Sequence, residues 1–288
     1  MDEIRLKALA KINLGLDVTG CRDDGYHLVR MIMQTIHLFD SVQMEKTAEP
    51  GIQLSTNIRF LPVDEHNIAY KAARLLIEEF ELTQGIHIDI KKCIPVSAGM
   101  AGGSTDAAAV LYGMNLLYDL RLSQKQLAKR ALTLGADVPY CLMRGTALAE
   151  GIGEKLTRLP AVPRCPVVIA KPGISVSTKW VYDRLSLNEQ TRHPDIDQLI
   201  TDIRQQDLHA IASHMGNILE EVTVKEYPVI AQIKESLMNY GALNAMMSGS
   251  GPTVFALFEE RSTAKDAADA LRASGLARHI YVTTVFNV

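Results

Sequence analysis

The residues able to do chemistry gather in a few short segments. The first is Pro95-Val96-Ser97-Ala98-Gly99-Met100-Ala101-Gly102-Gly103-Ser104-Thr105-Asp106. Its three glycines and two alanines leave little side-chain bulk, so a ligand can approach the backbone closely. A strand-like run, Ile86 to Cys93, leads into it, and a helix-like run leaves it near Ser104. Free N–H groups and the dipole at a helix start favour anions, and Ser104 and Thr105 add hydroxyls. This reads as a phosphate cradle. It has neither the Gly-Lys-Ser/Thr of a Walker loop nor the Gly-x-Gly-x-x-Gly of a dinucleotide fold. A cationic partner for phosphate must therefore come from elsewhere in the chain.

Lys11, beside Asn13, and Asp137, after Leu134-Gly135-Ala136, are the candidates for acid–base work. Taken alone, Lys11 reads as a solvated lysine on an open sheet face and Asp137 as a helix N-cap. Together, a lysine and a carboxylate at a phosphate loop could orient and deprotonate an attacking hydroxyl. Tyr26 and His27 follow a turn at Gly25, where an exposed ring can stack on a planar ligand. An edge-strand tyrosine is the plainer reading. The turn Ser248-Gly249-Ser250-Gly251-Pro252-Thr253 offers consecutive N–H groups suited to an anion, or is simply a glycine-rich hairpin.

The elements that must position these groups follow from periodicity. Even positions from Ile4 to Val18 are apolar, and odd ones carry Arg5, Lys7, Lys11, Asn13 and Asp17. That alternation predicts a long strand with one buried face, bent at Gly15. Asp23-Asp24-Gly25 marks a turn. Strands are expected over Val29–Leu38, Val42–Glu45 and Ile52–Ser55, and a helix over Asn67–Phe80. A helix should follow Ser123 as N-cap, and a short one should open near Asp137, with Pro139 in its first turn. The segment Pro160 to Pro166, with three prolines, reads as a domain edge. Beyond it the pattern predicts a strand at Val167–Lys171 and helices to about residue 239. Strands at Leu243–Met247 and Thr253–Phe258, a helix at Thr263–Arg272 and a strand at Ile280–Phe286 complete it. Strands with helices packed on one side argue an α+β fold in two domains, 1–162 and 163–288.

Composition narrows the function classes. At 288 residues, about two domains are expected. Hydrophobic residues make up 47% and charged residues 22%, with a net charge of −3, so there is no basic field for nucleic acid. No apolar run reaches the ~18 residues that would span a membrane. Cys21, Cys93, Cys141 and Cys165 show no metal-ligand or disulfide spacing, as expected of free thiols in a reducing cytoplasm.

Three of these segments, in this order, resemble the GHMP kinases: Lys11-Ile12-Asn13-Leu14, then Pro95 to Asp106, then Ser248 to Thr253. Arg22-Asp23-Asp24-Gly25-Tyr26-His27 and Gly135-Ala136-Asp137-Val138-Pro139 narrow the likeness to a branch of that family. Members of that branch phosphorylate the 2-hydroxyl of a CDP-linked methylerythritol on the non-mevalonate route to isoprenoid precursors. The resemblance covers about residues 5 to 285. It implies an N-terminal ribosomal-protein-like α/β sandwich and a C-terminal ferredoxin-like domain.

It also implies roles. Lys11 and Asp137 match the catalytic pair. Pro95, Val96, Ser97, Ala98, Gly99, Met100, Ala101, Gly102, Gly103, Ser104 and Thr105 match the ATP-phosphate loop, and Asn67 and Lys92 fall where the family approaches the nucleotide. Asn13, Tyr26, His27, Tyr182, Gly249, Ser250 and Gly251 are expected on the substrate side, with Tyr26 and Tyr182 on the two faces of cytosine. Mg²⁺ is expected to arrive with ATP, with Ser104 as a candidate ligand. The departures are Ser97-Ala98-Gly99-Met100-Ala101, where the family is richer in glycine, Thr105 for serine, and Lys179 where some members carry proline. The chain is expected to be a monomer or homodimer with small-molecule substrates only. Two rivals are a homoserine- or mevalonate-type kinase, which the Tyr26-His27 segment argues against, and a non-catalytic nucleotide-binding module, which has no need of Lys11 and Asp137.

Overall fold

The computed structural model describes residues 2–23, 25–188 and 191–288. Asp24, in the expected turn, lies outside them. The chain forms two compact units that are not consecutive segments. One holds residues up to Ala10, Leu38–Val96 and Ala101–Met143; the other holds Lys11–His37, Ser97–Met100 and Arg144–Val288. Two long strands, β1 (Glu3–Cys21) and β2 (His27–Thr47), contribute residues to both. The two strands expected at Val29–Leu38 and Val42–Glu45 are thus one. Asp40, in the expected break, is fully buried, and the strand runs on through it.

In the first unit, β3 (Ile52–Thr56) pairs in parallel with β4 (Gly85–Lys91), and β4 pairs antiparallel with β2 from Ser41↔Lys91 to Thr47↔Gly85. The helices α1 (Ile68–Phe80), α2 (Gly102–Leu117), α3 (Gln124–Leu134) and α4 (Val138–Met143) pack on one another, α2 touching the other three. Two of the starts, those of α1 and α3, have a local cause. The Asn67 side chain accepts from Ala69 N at 2.9 Å, and Ser123 with Gln126 forms a capping box. Ile86, Ile88, Met44, Leu76, Val110 and Met114 are fully buried in the core. Helix α2 lies so close to β2 that a Cβ at Gly113 would stand 1.9 Å from Met44 Cε. It begins two residues earlier than expected, so Gly102 and Gly103 form its first turn rather than the loop before it.

In the second unit, β2 pairs with β5 (Thr146–Gly151), which pairs with β6 (Lys155–Arg158). This hairpin was not expected from the sequence. Thr146-Ala147-Leu148-Ala149-Glu150-Gly151 has few of the β-branched residues that mark strands, and its partners supply the burial. A four-stranded antiparallel sheet has the order β11 (His279–Thr284), β7 (Pro166–Lys171), β10 (Val254–Leu257), β9 (Asn244–Met247). In chain order that is 4-1-3-2, the ferredoxin-like arrangement, with α9 (Val229–Asn239) and α10 (Arg261–Ser274) packed on it. The helices α5 (Thr178–Arg184), α6 (Ile196–Gln205), α7 (Leu208–His214) and α8 (Glu220–Glu226) lie between β7 and β9 in the chain. A two-residue strand, β8 (Gly216–Asn217), pairs in parallel with β1 at Gly15 and Leu16.

The expected open face of β1 is open only at its start, where Arg5 and Lys7 are exposed. From Ala8 to Val18 every residue is buried, including Asn13 and Asp17, and Lys11 is 6% exposed. Gly15 answers a packing demand. A Cβ there would stand 2.8 Å from both Ile196 Cδ1 and Leu199 Cδ2, so the glycine lets α6 pack directly on the strand.

Candidate active site

Two groups of expected site residues form within the first unit. The first lies at the start of α2. Ala101 holds a left-handed conformation (φ 57°) and opens the helix, whose first intrahelical bond runs from Thr105 N to Ala101 O at 2.9 Å. The N–H groups of Gly102, Gly103 and Ser104 precede that bond and have no intrahelical acceptor. No acidic side chain occupies the first turn. Three loops meet here. A Cβ on Gly103 would touch Ile68 Cγ2 at 3.4 Å, and one on Gly135 would lie 3.7 Å from Ile68 Cδ1. Ile68 thus gathers the start of α1, the start of α2 and the turn leading to Asp137. Asp137 is half-buried, and its carbonyl accepts from Cys141 N at 3.1 Å as α4 begins. Asn67 is committed to structure: besides capping α1, its amide donates to Pro62 O at 2.8 Å.

The second group centres on Lys92. Its ammonium bonds to Asp40 Oδ2, to Asp106 Oδ2 at 2.5 Å and to Gly102 O at 3.4 Å. Asp40 also accepts from Cys93 N at 2.5 Å and Ile94 N at 2.8 Å. Burial works against the Lys92 charge, but the two carboxylates outweigh it and raise its pKa. Burial likewise pushes the Asp106 carboxyl up, to about 8, against the pull of Lys92. A Cβ at Gly102 would meet Ile94 Cγ2 at 3.2 Å and Lys92 Nζ at 3.5 Å. That glycine makes room for the residues packed beneath the helix rather than for a ligand above it.

In the second unit, Lys11 donates to Asn13 Oδ1 at 2.7 Å, and its backbone N–H donates to Met100 O at 3.2 Å. Asn13 in turn donates to Met31 Sδ at 3.3 Å. The loop residues Ser97 (φ 50°) and Gly99 (φ 68°) are left-handed. Gly99 is required sterically: a Cβ would stand 2.1 Å from Ser248 O, while Ser248 Oγ donates to Gly99 O at 2.9 Å. The turn after β9 therefore lies directly on the glycine loop. A Cβ on Gly249 would be 3.7 Å from Asn13 Oδ1. The turn is held from outside by groups that sequence reading did not single out. Asn217 donates to Met247 O and Gly249 O, both at 2.8 Å, and Thr178 Oγ1 and Ser250 Oγ are 2.8 Å apart. Gly251 N donates to Ser248 O at 3.0 Å inside the turn. The weak signal for Asn217 was a lone polar residue in the apolar-flanked stretch Met215-Gly216-Asn217-Ile218-Leu219.

The aromatic pair also forms. His27 and Tyr182 have ring centroids 4.9 Å apart at 41°. Tyr26, next to it, is 60% exposed. Lys179 faces solvent and pairs with Asp183 at 2.8 Å.

The structure thus assembles Lys11, Asn13, Gly99, Met100 and Gly249 in one cluster, and His27 with Tyr182 in another. Among the described residues, no group of three His, Cys, Asp or Glu could hold a metal ion. No helix there is long and apolar enough to cross a membrane.

Residues 67–145 match the GHMP kinases N terminal domain and residues 199–276 the GHMP kinases C terminal domain. The chain is similar to a 4-diphosphocytidyl-2-C-methyl-D-erythritol kinase of Lachnospira eligens, 54% identical over 100% of both chains. It is also similar to one of the same name from Clostridium perfringens, 47% identical over 99% of each. Among solved structures, a 4-(cytidine 5'-diphospho)-2C-methyl-D-erythritol kinase superposes with a TM-score of 0.85 at 32% identity, over 99% of this chain and 100% of that one. A homoserine kinase from Cytophaga hutchinsonii shares the fold, with a TM-score of 0.81 at 24% identity over 99% and 95% of the two chains. With relatives this similar along its whole length, and both domain matches in order, the chain belongs to the GHMP kinase family.

Proposed function

We propose that this protein transfers the γ-phosphoryl group of ATP to the 2-hydroxyl of 4-diphosphocytidyl-2-C-methyl-D-erythritol, on the non-mevalonate route to isoprenoid precursors. The observation that carries this reading is the end-to-end identity of 54% with a kinase that bears that substrate in its name. Residues 1–162 and 163–288 are the two domains of the proposal.

Transfer is direct and in line. Asp137 accepts the proton of the attacking hydroxyl, and Lys11 offsets the charge that moves with the phosphoryl group. Lys11 suits this role because Asn13 orients its ammonium inside a buried cluster. The amides of Gly102, Gly103 and Ser104 receive phosphate oxygens, aided by the dipole of α2. Mg²⁺ would come with the triphosphate to neutralise its charge, and Ser104 Oγ is the group of this chain that would hold it. Tyr182, already packed against His27, offers a ring to the cytosine, and Tyr26 offers a second.

The test is phosphate transfer from Mg-ATP to a panel of the CDP-linked alcohol, mevalonate, homoserine and galactose. Turnover of the CDP compound is expected. Turnover of mevalonate or homoserine with none of the CDP compound would overturn the reading.

A further inference from the structure

The turn after β9 is polarised. The carbonyls of Ser248, Gly249 and Ser250 are all taken by donors of the protein. Ser248 O accepts from Gly251 N at 3.0 Å, Gly249 O from Asn217 Nδ2 at 2.8 Å and Ser250 O from Thr223 Oγ1 at 3.4 Å. The N–H groups are treated differently. Gly249 and Ser250 are buried, yet among the described residues neither backbone N–H has a protein acceptor. Buried N–H groups without a partner are rare, because each costs about what a lost hydrogen bond costs. Successive N–H groups in a turn with left-handed residues form an anion-binding concavity, and Gly249 (φ 57°) and Gly251 (φ 83°) are left-handed.

Asn217 sets this polarity. Its side chain is wholly committed: Nδ2 donates to Met247 O and Gly249 O, both at 2.8 Å, and Oδ1 accepts from Leu219 N at 3.0 Å. Its backbone is pinned to the strand that carries Lys11 and Asn13, by pairing with Leu16 and by the Ile218 N–H on Leu16 O at 3.0 Å. We propose that Asn217 is a positioning residue for phosphate: by holding the Gly249 carbonyl it keeps the Gly249 and Ser250 N–H groups free for a phosphate oxygen of the ligand. The phosphate belongs to the CDP-linked alcohol or to ATP, so the role rests on the kinase reading above. The task needs two N–H donors and an acceptor on one short side chain. Aspartate has the shape but no donor, and would set a carboxylate against two carbonyl oxygens.

Calorimetry reads affinity for two pairs of ligands, CDP with cytidine and ATP with adenosine. In the wild type each nucleotide should bind more tightly than its nucleoside. Asn217→Asp and Asn217→Ala should cut that gain about tenfold or more for at least one pair, as loss of hydrogen bonds to a charged group does. The nucleosides alone should stay within about threefold of wild type. A purely structural role would weaken nucleoside and nucleotide together, and that result would overturn the inference. Loss of the gain for CDP assigns the turn to the acceptor substrate, and loss for ATP assigns it to the phosphoryl donor. Variants that fail to fold do not end the test, because the wild type answers by nuclear magnetic resonance. The Gly249 and Ser250 amide protons should move downfield when CDP or ATP is added, as they gain charge-assisted hydrogen bonds, and hold still with cytidine and adenosine. Amides that ignore both nucleotides overturn the inference. A wild type whose amides respond to a nucleotide but that does not turn over the CDP-linked alcohol sinks the substrate reading and leaves this inference intact. Turnover of the alcohol with unmoved amides does the reverse.

Discussion

Lys11 and Asn13, two positions apart on β1, form a hydrogen-bonded pair inside the protein, Nζ to Oδ1 at 2.7 Å. Alternate residues of a strand share a face, so the spacing alone makes them neighbours. Their burial makes the pair costly unless it does something. Lys11→Met keeps the stem and removes the charge, at a cost of about 1–3 kcal/mol for leaving the buried Asn13 Oδ1 without its donor. The variant should fold, with kcat reduced about 10²–10³-fold, the range for losing one preorganised donor. Steady-state kinetics with ATP and the CDP-linked alcohol measures it; near-wild-type kcat would remove Lys11 from the chemistry.

Asp137 sits in the turn that Ile68 gathers beside the start of α2. Asp137→Asn keeps the shape of the side chain and loses the base. Turnover should fall about 10²–10⁴-fold while ATP affinity, measured by calorimetry, barely moves. A variant within a few-fold of wild-type turnover would require another proton acceptor.

The His27–Tyr182 ring contact gives a test of the cytidine side. A stacked base is worth roughly 1–3 kcal/mol on alanine substitution. At about 1.4 kcal/mol per tenfold, Tyr182→Ala should weaken CDP 5- to 150-fold and leave ATP unchanged. Because the two rings touch, a His27→Ala/Tyr182→Ala cycle should show coupling of about 0.5–1.5 kcal/mol. Loss of ATP affinity with CDP affinity retained would assign the pair to the wrong nucleotide.

Gly99 and Gly103 should behave oppositely. Gly99 is left-handed, and a Cβ there would run into Ser248 O. Gly99→Ala should cost more than the ~1–2 kcal/mol of a left-handed non-glycine residue and lower Tm by several degrees. Gly103 already allows a Cβ at ordinary contact distance, 3.4 Å from Ile68. Gly103→Ala should therefore fold with Tm close to wild type. Equal melting temperatures for the two variants would contradict the close approach at Gly99.

Asp106 predicts a pH dependence of stability. Burial raises its carboxyl to about 8 in the folded protein, against about 4 in an unfolded chain. The folded state then binds the extra proton between those values. Its contribution is fully present below about pH 4 and is lost as pH rises towards 8. Asp106→Asn lacks this titration, while Asp40 and Lys92 are common to both proteins. Wild type should lose stability relative to the variant from pH 4 to 8, then level off, in urea melts at stepped pH. A difference independent of pH across that range would contradict it.

The sequence by itself determined what is local. The helix at Asn67–Phe80 was legible because its cap and its apolar stripe lie within one segment, and α3 because Ser123 and Gln126 are three residues apart. The glycine loop and the serine–glycine turn were legible as backbone chemistry, and family likeness added roles for Lys11 and Asp137. Tertiary structure decided what depends on contacts between distant residues. Asp40 and Lys92 are 52 residues apart, so nothing near either one announces the buried cluster. Gly99 and Ser248 are 149 apart, and their contact adds to the left-handed backbone a reason for that glycine that no local pattern shows. The polar face of β1 read as solvent-facing because alternation reports only which residues share a face. Whether water or packed protein covers that face is set by α6 lying on Gly15, by the cluster around Lys11 and by His193 on Asp17.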